Sequence, residues 1–206
     1  KIKSSFAFLG TNVIRVDRFP FANGPQDYPW WKYWQRPNPK YNEMETVRDR
    51  SNAALYLCFE LSISGKTIRY KSSSVENAAI SAVSHEYDMI KSFDLEDGRY
   101  FTEHESESGR AVAILGHTLK ESLFGNEEAV GKTIRADGRK LEVIGVFQKE
   151  GSSVIDMGSL DNTALVSVNY VRNIVNIDSD NFRPAIQVKG KPGVSNDELI
   201  DELRGV

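Results

Sequence analysis

The sequence predicts an α+β fold, with βαβ-like material at both ends around a hairpin-rich centre. Three observations carry this. Helix-period segments follow strand-like runs near each terminus, at residues 41–51 and 195–203. Residues 111–148 pack strand, helix and hairpin signals into one compact unit. Within that unit Asp137-Gly138 separates two β-like runs, the strongest short-range hairpin signal, because a type I′ turn needs positive φ at both positions.

In chain order, residues 6–16 (FAFLGTNVIRV) read as a lead-in segment and then a strand. Val13, Ile14 and Val16 supply β-branched residues after the break at Gly10. The composition then changes abruptly. Residues 19–41 (FPFANGPQDYPWWKYWQRPNPKY) hold five of the seven prolines and all three tryptophans. Proline at this density removes amide donors and blocks helix and inner strand alike. Two readings stay open: aromatics packed onto the domain surface, or a contact surface for a protein partner or the membrane interface. The contact candidates there are Trp30, Trp31, Tyr33 and Trp34.

Residues 41–51 suit a helix with Met44 and Val47 inward, Asn42 as N-cap and Glu45 three residues later. Residues 54–62 and 66–72 read as two strands around a turn at Ser64-Gly65, and 75–83 as a further strand with helix as the competing reading. Residues 84–92 suit a short helix capped by Ser84, with Tyr87, Ile90 and Met89 inward. Residues 94–107 place a turn at Asp97-Gly98, then an aromatic pair, then an acidic run read as a solvated face.

Residues 111–115 form an apolar run closed by Gly116. Leu119, Leu123 and Phe124 then share a helix face that Gly125 terminates. On the second hairpin arm, 139–148, apolar residues occur on both faces, which predicts a strand covered on both sides. Residues 151–162 are a Gly/Ser-rich loop containing Ser152 and Ser153, two more contact candidates. A strand at 164–168, a short helix or turn at 169–175 and a strand at 184–188 follow. Ser195 caps the last helix with Glu198 three residues on, and Leu199, Ile200 and Leu203 form its apolar face. The chain stops inside that helix's natural continuation, as a cut fragment would.

Composition narrows the function. The 206 residues carry a net charge of −3 with no dense Lys/Arg run, which argues against a nucleic-acid partner. Apolar runs are far short of the roughly 20 residues that span a bilayer, so a membrane anchor would lie outside this stretch. Cys58 is alone, within an apolar run, and reads as a buried structural thiol.

Gly125, Gly131, Lys132 and Thr133 imitate a phosphate loop. That motif needs four residues between its glycines and a helix after them, whereas this chain has five and a hairpin. Gly65-Lys66-Thr67 lacks any upstream glycine. His85, His104 and His117 have no metal-ligand spacing and read as solvent-facing or capping residues. No catalytic, cofactor-binding or metal-binding residue is assigned, and no cofactor is expected.

One resemblance runs from end to end. Leu9-Gly10-Thr11-Asn12 leads into 13–16, followed by Tyr87 and by Leu95-Glu96-Asp97-Gly98-Arg99-Tyr100-Phe101-Thr102. Val112-Ala113-Ile114-Leu115-Gly116, Leu123-Phe124-Gly125, Val130-Gly131-Lys132-Thr133-Ile134, Val143-Ile144-Gly145-Val146 and Gly151-Ser152-Ser153 continue it. In order and spacing these pieces resemble the periplasmic core domain of MacB-like ABC transporter permeases, in the wider FtsX and LolC/LolE group.

The resemblance implies two α/β subdomains: a porter-like part from both chain ends (1–75 and 176–206, the second segment truncated) and an inserted hairpin-rich middle part (76–175). It implies a non-catalytic extracytoplasmic domain, anchored in the inner membrane by helices outside this stretch, that transmits ATP-driven motion to export or release of a substrate. The implied partners are the transmembrane and ATPase parts of the same transporter, working as a homodimer or heterodimer, together with a periplasmic adaptor protein or lipoprotein. The alternative is a secreted module that binds a peptide or glycan through the Trp-rich segment.

Overall fold

The computed structural model describes residues 5–8, 12–19, 35–149 and 160–205. In chain order the elements are β1 (Ser5–Phe8), β2 (Val13–Asp17), α1 (Tyr41–Arg50), β3 (Ala54–Tyr70), β4 (Ser73–Val83) and α2 (Tyr87–Ile90). Next come β5 (Leu95–Gly98), α3 (Glu103–Ser108), β6 (Val112–Leu115), α4 (His117–Phe124), β7 (Thr133–Ala136) and β8 (Arg139–Phe147). The last are β9 (Thr163–Ser167), α5 (Val168–Arg172), β10 (Pro184–Gly190) and α6 (Asn196–Gly205). The fold is mixed α/β and dominated by sheet. Two compact units emerge: Lys1–Leu61 with Glu86–Lys91 and Asp178–Val206, and Ser62–His85 with Ser92–Ile177.

In the first unit β10 lies between β2 and β3 and runs antiparallel to both, so β2 and β3 are parallel and α1 is the crossover between them. Register pairs Val16 and Phe59 with Ile186, and Ile14 and Leu57 with Val188, giving one apolar face. Met44 and Val47 of α1 are buried, and the Tyr41 ring meets Phe59 edge-on at 5.5 Å. Leu199, Ile200 and Leu203 of α6 are buried as expected, and the Ser195–Glu198 capping box forms, with both amides bonded at 2.9 and 3.2 Å. The opposite face is polar. Arg15 reaches Asp17 at 3.2 Å and Glu60 at 3.3 Å, and the Gln187 amide donates to Glu60. Cys58, opposite Gln187, is wholly buried, as its apolar run predicted.

Two helix starts differ from expectation. Lys40, not Asn42, is the N-cap of α1, because Glu43 reaches back to accept the Lys40 amide at 2.7 Å. The Asn42 carbonyl is already helical and accepts Thr46 Oγ1. The helix expected at 84–92 shrinks to the single turn of α2, started by Glu86 rather than Ser84. The Glu86 carboxylate instead accepts Arg48 at 2.6 Å and the Leu57 amide at 2.8 Å. A single turn buries one side only: Tyr87 goes in, and Met89 is 48% exposed.

In the second unit the strand pairings close on themselves. β3 is bonded to β4, β4 to β9, β9 to β6, β6 to β8, β8 to β7, and β7 back to β3. β5 adds to β8 as a short edge. The expected reversal at Ser64-Gly65 is absent: β3 runs straight through it, and the chain turns at Lys71-Ser72. Gly65 does take positive φ, +73°, yet one left-handed residue bends a strand without reversing it. The Asp137-Gly138 turn forms as expected, with φ of +50° and +80°.

β8 is buried on both faces, by Leu141, Val143 and Phe147 on one and Ile144 and Val146 on the other. Each such side chain contributes about 1.5–3 kcal/mol of transfer free energy. α4 closes the ring against β4 and β8 through Leu119, Leu123 and Phe124, and the Tyr70 ring stacks on Phe124 at 4.0 Å.

Candidate functional site

A polar cluster in the second unit surrounds one buried carboxylate. β5 ends at Gly98, whose φ is +78°, and a Cβ there would drive into the Ile144 carbonyl. Gly145 is reciprocal, since its Cβ would meet the Arg99 carbonyl at 2.8 Å. These two glycines let the chain pass flat over β8, and the Arg99 amide donates to Ile144 O at 3.0 Å. Phe101 then turns inward, and Thr102 caps α3.

That path brings Arg99 onto Glu105. The guanidinium makes two parallel bonds to the carboxylate, 2.7 and 2.8 Å, while the Thr102 amide and hydroxyl donate to the same group at 3.1 and 3.0 Å. Arg110 adds a contact at 3.4 Å and reaches Glu142 at 3.5 Å. Glu105 is only 3% exposed. The Arg99 guanidinium, helped by the Thr102 donors, holds its carboxyl down at about 2, and the same bond raises Arg99. The acidic run read as a solvated face therefore contains one buried, fully bonded anion.

Beside this clamp lies an open groove of about 370 Å³, lined by Gly98, Arg99, Val130, Gly131, Glu142, Val143 and Ile144. Its arginine and glutamate are already engaged. The Gly131 amide donates to Val143 O at 2.8 Å, and Thr133 opens a strand, so the Gly131-Lys132-Thr133 turn presents no phosphate cradle. His117 is not a free or capping residue: its ring nitrogens lie 2.7 Å from Glu96 and 3.4 Å from Glu121. His85 lies part-buried beside the Tyr100 ring, 6.2 Å between centroids, and His104 is exposed. Ser106 and Ser167 are buried against each other, with Ser167 Oγ donating to Ser106 O at 2.7 Å. Among the described residues no group of three or more His, Cys, Asp or Glu side chains could hold a metal ion.

The contact candidates Trp30, Trp31, Tyr33, Trp34, Ser152 and Ser153 lie outside the described residues. Of the Leu95–Thr102 motif, Arg99 and Thr102 meet on Glu105, and Gly98 supplies the close approach to Ile144 that leads the chain there. What the sequence reading missed is Glu105, and the signal was present: Thr102 and Glu105 have the spacing of a capping box.

A family model described as the MacB-like periplasmic core domain matches residues 1–206. The macrolide export ATP-binding/permease protein MacB of Marinobacter nauticus is 32% identical over 142 residues, covering 69% of this chain and 21% of that protein. Its namesake in Neisseria gonorrhoeae is 31% identical over 154 residues, covering 73% and 22%. The chain thus spans about a fifth of the length of these relatives. In structure it is similar to the periplasmic region of MacB from Actinobacillus actinomycetemcomitans, with a TM-score of 0.75 at 22% identity over 94% of this chain and 81% of that one. Among the described residues no helix is long and apolar enough to cross a membrane. The chain belongs to the family of MacB-like periplasmic core domains, the extracytoplasmic parts of ABC transporter permeases.

Proposed function

We propose that this domain is a non-catalytic coupling and contact element of an ABC exporter, anchored in the inner membrane by flanking helices and driven by an ATPase elsewhere in the transporter. It carries ATP-driven motion to substrate export and touches a periplasmic adaptor protein or lipoprotein. The carrying observation is the match of the family model over the whole chain. The physics agrees, because transmitting motion requires units that keep their shape. In the second unit the closed strand circuit and the buried Arg99–Glu105 clamp supply that stiffness. The porter-like assignment of the chain ends, the dimeric state and the contact role of Trp30, Trp31, Tyr33, Trp34, Ser152 and Ser153 belong to the same proposal.

The first test is topological. In the full-length transporter, Ser72→Cys puts a thiol at an exposed turn, while native Cys58 is wholly buried. A charged, membrane-impermeant maleimide added to intact spheroplasts is expected to label position 72. Labelling only after permeabilisation overturns the extracytoplasmic reading. Full transport and partner binding after deletion of residues 19–41 would remove that segment from the contact surface.

A further inference from the structure

We propose that the outer face of the β3–β7–β8 ladder docks an acidic helix of a partner protein, read by the row Arg69, Arg135 and Lys140. This rests on the transporter reading and names a partner surface within it. Arg69 pairs directly with Arg135, and Arg135 directly with Lys140, so three cations stand side by side across three neighbouring strands. All three are exposed. Their inward neighbours, Ile68 with Ala136 and Ile134 with Leu141, are buried.

Like charges directly opposite in a sheet are destabilising. Four other cations of the unit are paired: Lys66 with Asp137 at 2.7 Å, Lys71 with Glu127 at 3.0 Å, and Arg99 and Arg110 around Glu105. Among the described residues the row has no such carboxylate. Glu142, two positions from Lys140, is engaged by Arg110, and Asp137 by Lys66. The arrangement therefore works against folding alone and leaves three adjacent positive charges for an external anion.

Spacing selects the occupant. Directly opposed residues have Cβ atoms about 4.5–5.5 Å apart, and helix residues at i and i+4 are about 5–6 Å apart. Two strand gaps, about 9.6 Å, match the roughly 10.5 Å rise from i to i+7. An extended acidic strand, with same-face residues about 6.6 Å apart or more, falls out of step over the same distance. An anionic lipid surface is disfavoured because basic recognition of lipid takes about 4–8 cations, and the chain's net charge is −3. The partner is thus a helix carrying Glu or Asp at i, i+4 and i+7 on one face.

The test uses the full-length transporter in detergent and two synthetic helical peptides of identical composition. One carries its glutamates on a single face at i, i+4 and i+7; the other spreads them around the helix. By fluorescence anisotropy at low salt the one-faced peptide is expected to bind about fivefold tighter or better. R69Q/R135Q/K140Q is expected to reduce that affinity about tenfold, as three exposed charge pairs would, and R135K to retain most of it. The triple variant should melt no lower than wild type, since it relieves repulsion. Equal binding of the two peptides, or unchanged affinity in the triple variant, overturns the proposal. So does binding to phosphatidylglycerol vesicles that is lost with the same substitutions. If any of these occurs while the Ser72→Cys transporter is still labelled from outside, the docking surface fails and the transporter reading stands.

Discussion

The second unit uses the same side chain in two opposite ways. Around Glu105, Arg99 and Arg110 converge on one buried carboxylate whose acceptor sites are filled at 2.7–3.4 Å. Across β3, β7 and β8, Arg69, Arg135 and Lys140 stand side by side, with no ion pair to a carboxylate among the described residues. Arginine is stabilising where a carboxylate is delivered to it and mildly destabilising where only other cations are. The first arrangement serves the fold. The second is tolerated by the fold, so its use has to be sought outside the chain.

The contrast can be broken most violently at Gly98. Its φ of +78° and the Ile144 carbonyl leave no room for a methyl group, so Gly98→Ala should cost about 3 kcal/mol and displace Arg99 from Glu105. Equilibrium urea unfolding measures this, and a loss below about 1 kcal/mol would contradict the close approach.

Glu105→Gln keeps the volume and removes the charge. About 2 kcal/mol should be lost, because two guanidinium groups then surround a neutral amide.

The pH dependence follows from the same carboxyl. Its folded-state value of about 2 lies below the usual carboxylate range. The stabilisation is therefore complete above about pH 5 and drains away as pH falls towards about 2. Its size is about 2 kcal/mol after allowance for screening at the half-exposed Arg99. Urea midpoints between pH 6 and pH 3 should fall in the parent chain and fall less in Glu105→Gln. Parallel slopes would show that other carboxylates carry the acid sensitivity.

Smaller effects belong to the hairpin that carries the cation row. Gly138 has φ of +80° and no atom within 4 Å of a Cβ, so Gly138→Ala tests backbone conformation alone. It should cost about 1 kcal/mol. Arg135→Gln has the opposite sign: removing the central like charge should stabilise by about 0.5 kcal/mol, raising the melting temperature by about 1–2 °C. A destabilised Arg135→Gln would mean that the row has a compensating role inside the fold.

Legibility in the sequence tracked locality. The α4 stop at Gly125, the Asp137-Gly138 turn and the Ser195–Glu198 cap were all readable, since each is decided by residues within one turn of one another. Ser64-Gly65 misled because a left-handed glycine is compatible with a turn or with a bent strand, and only the partner strands choose. Ser84 misled for a related reason. The competing Glu86 is recruited by Arg48 and Leu57, both remote in sequence.

The sequence by itself determined the mixed α/β class, most of the longer elements and the resemblance that led to the family, because periodicity, caps and turn chemistry are properties of neighbouring residues; it read β5 as a turn and α3 as a solvated acidic run. Tertiary structure alone decided that β3 runs unbroken, that the second unit's strands form a closed circuit, which glutamate of an acidic run is buried, and that Arg69, Arg135 and Lys140 stand in one row. Those outcomes depend on strand register and on charges brought together from distant positions. A one-residue shift in register would turn every side chain of the row to the other face.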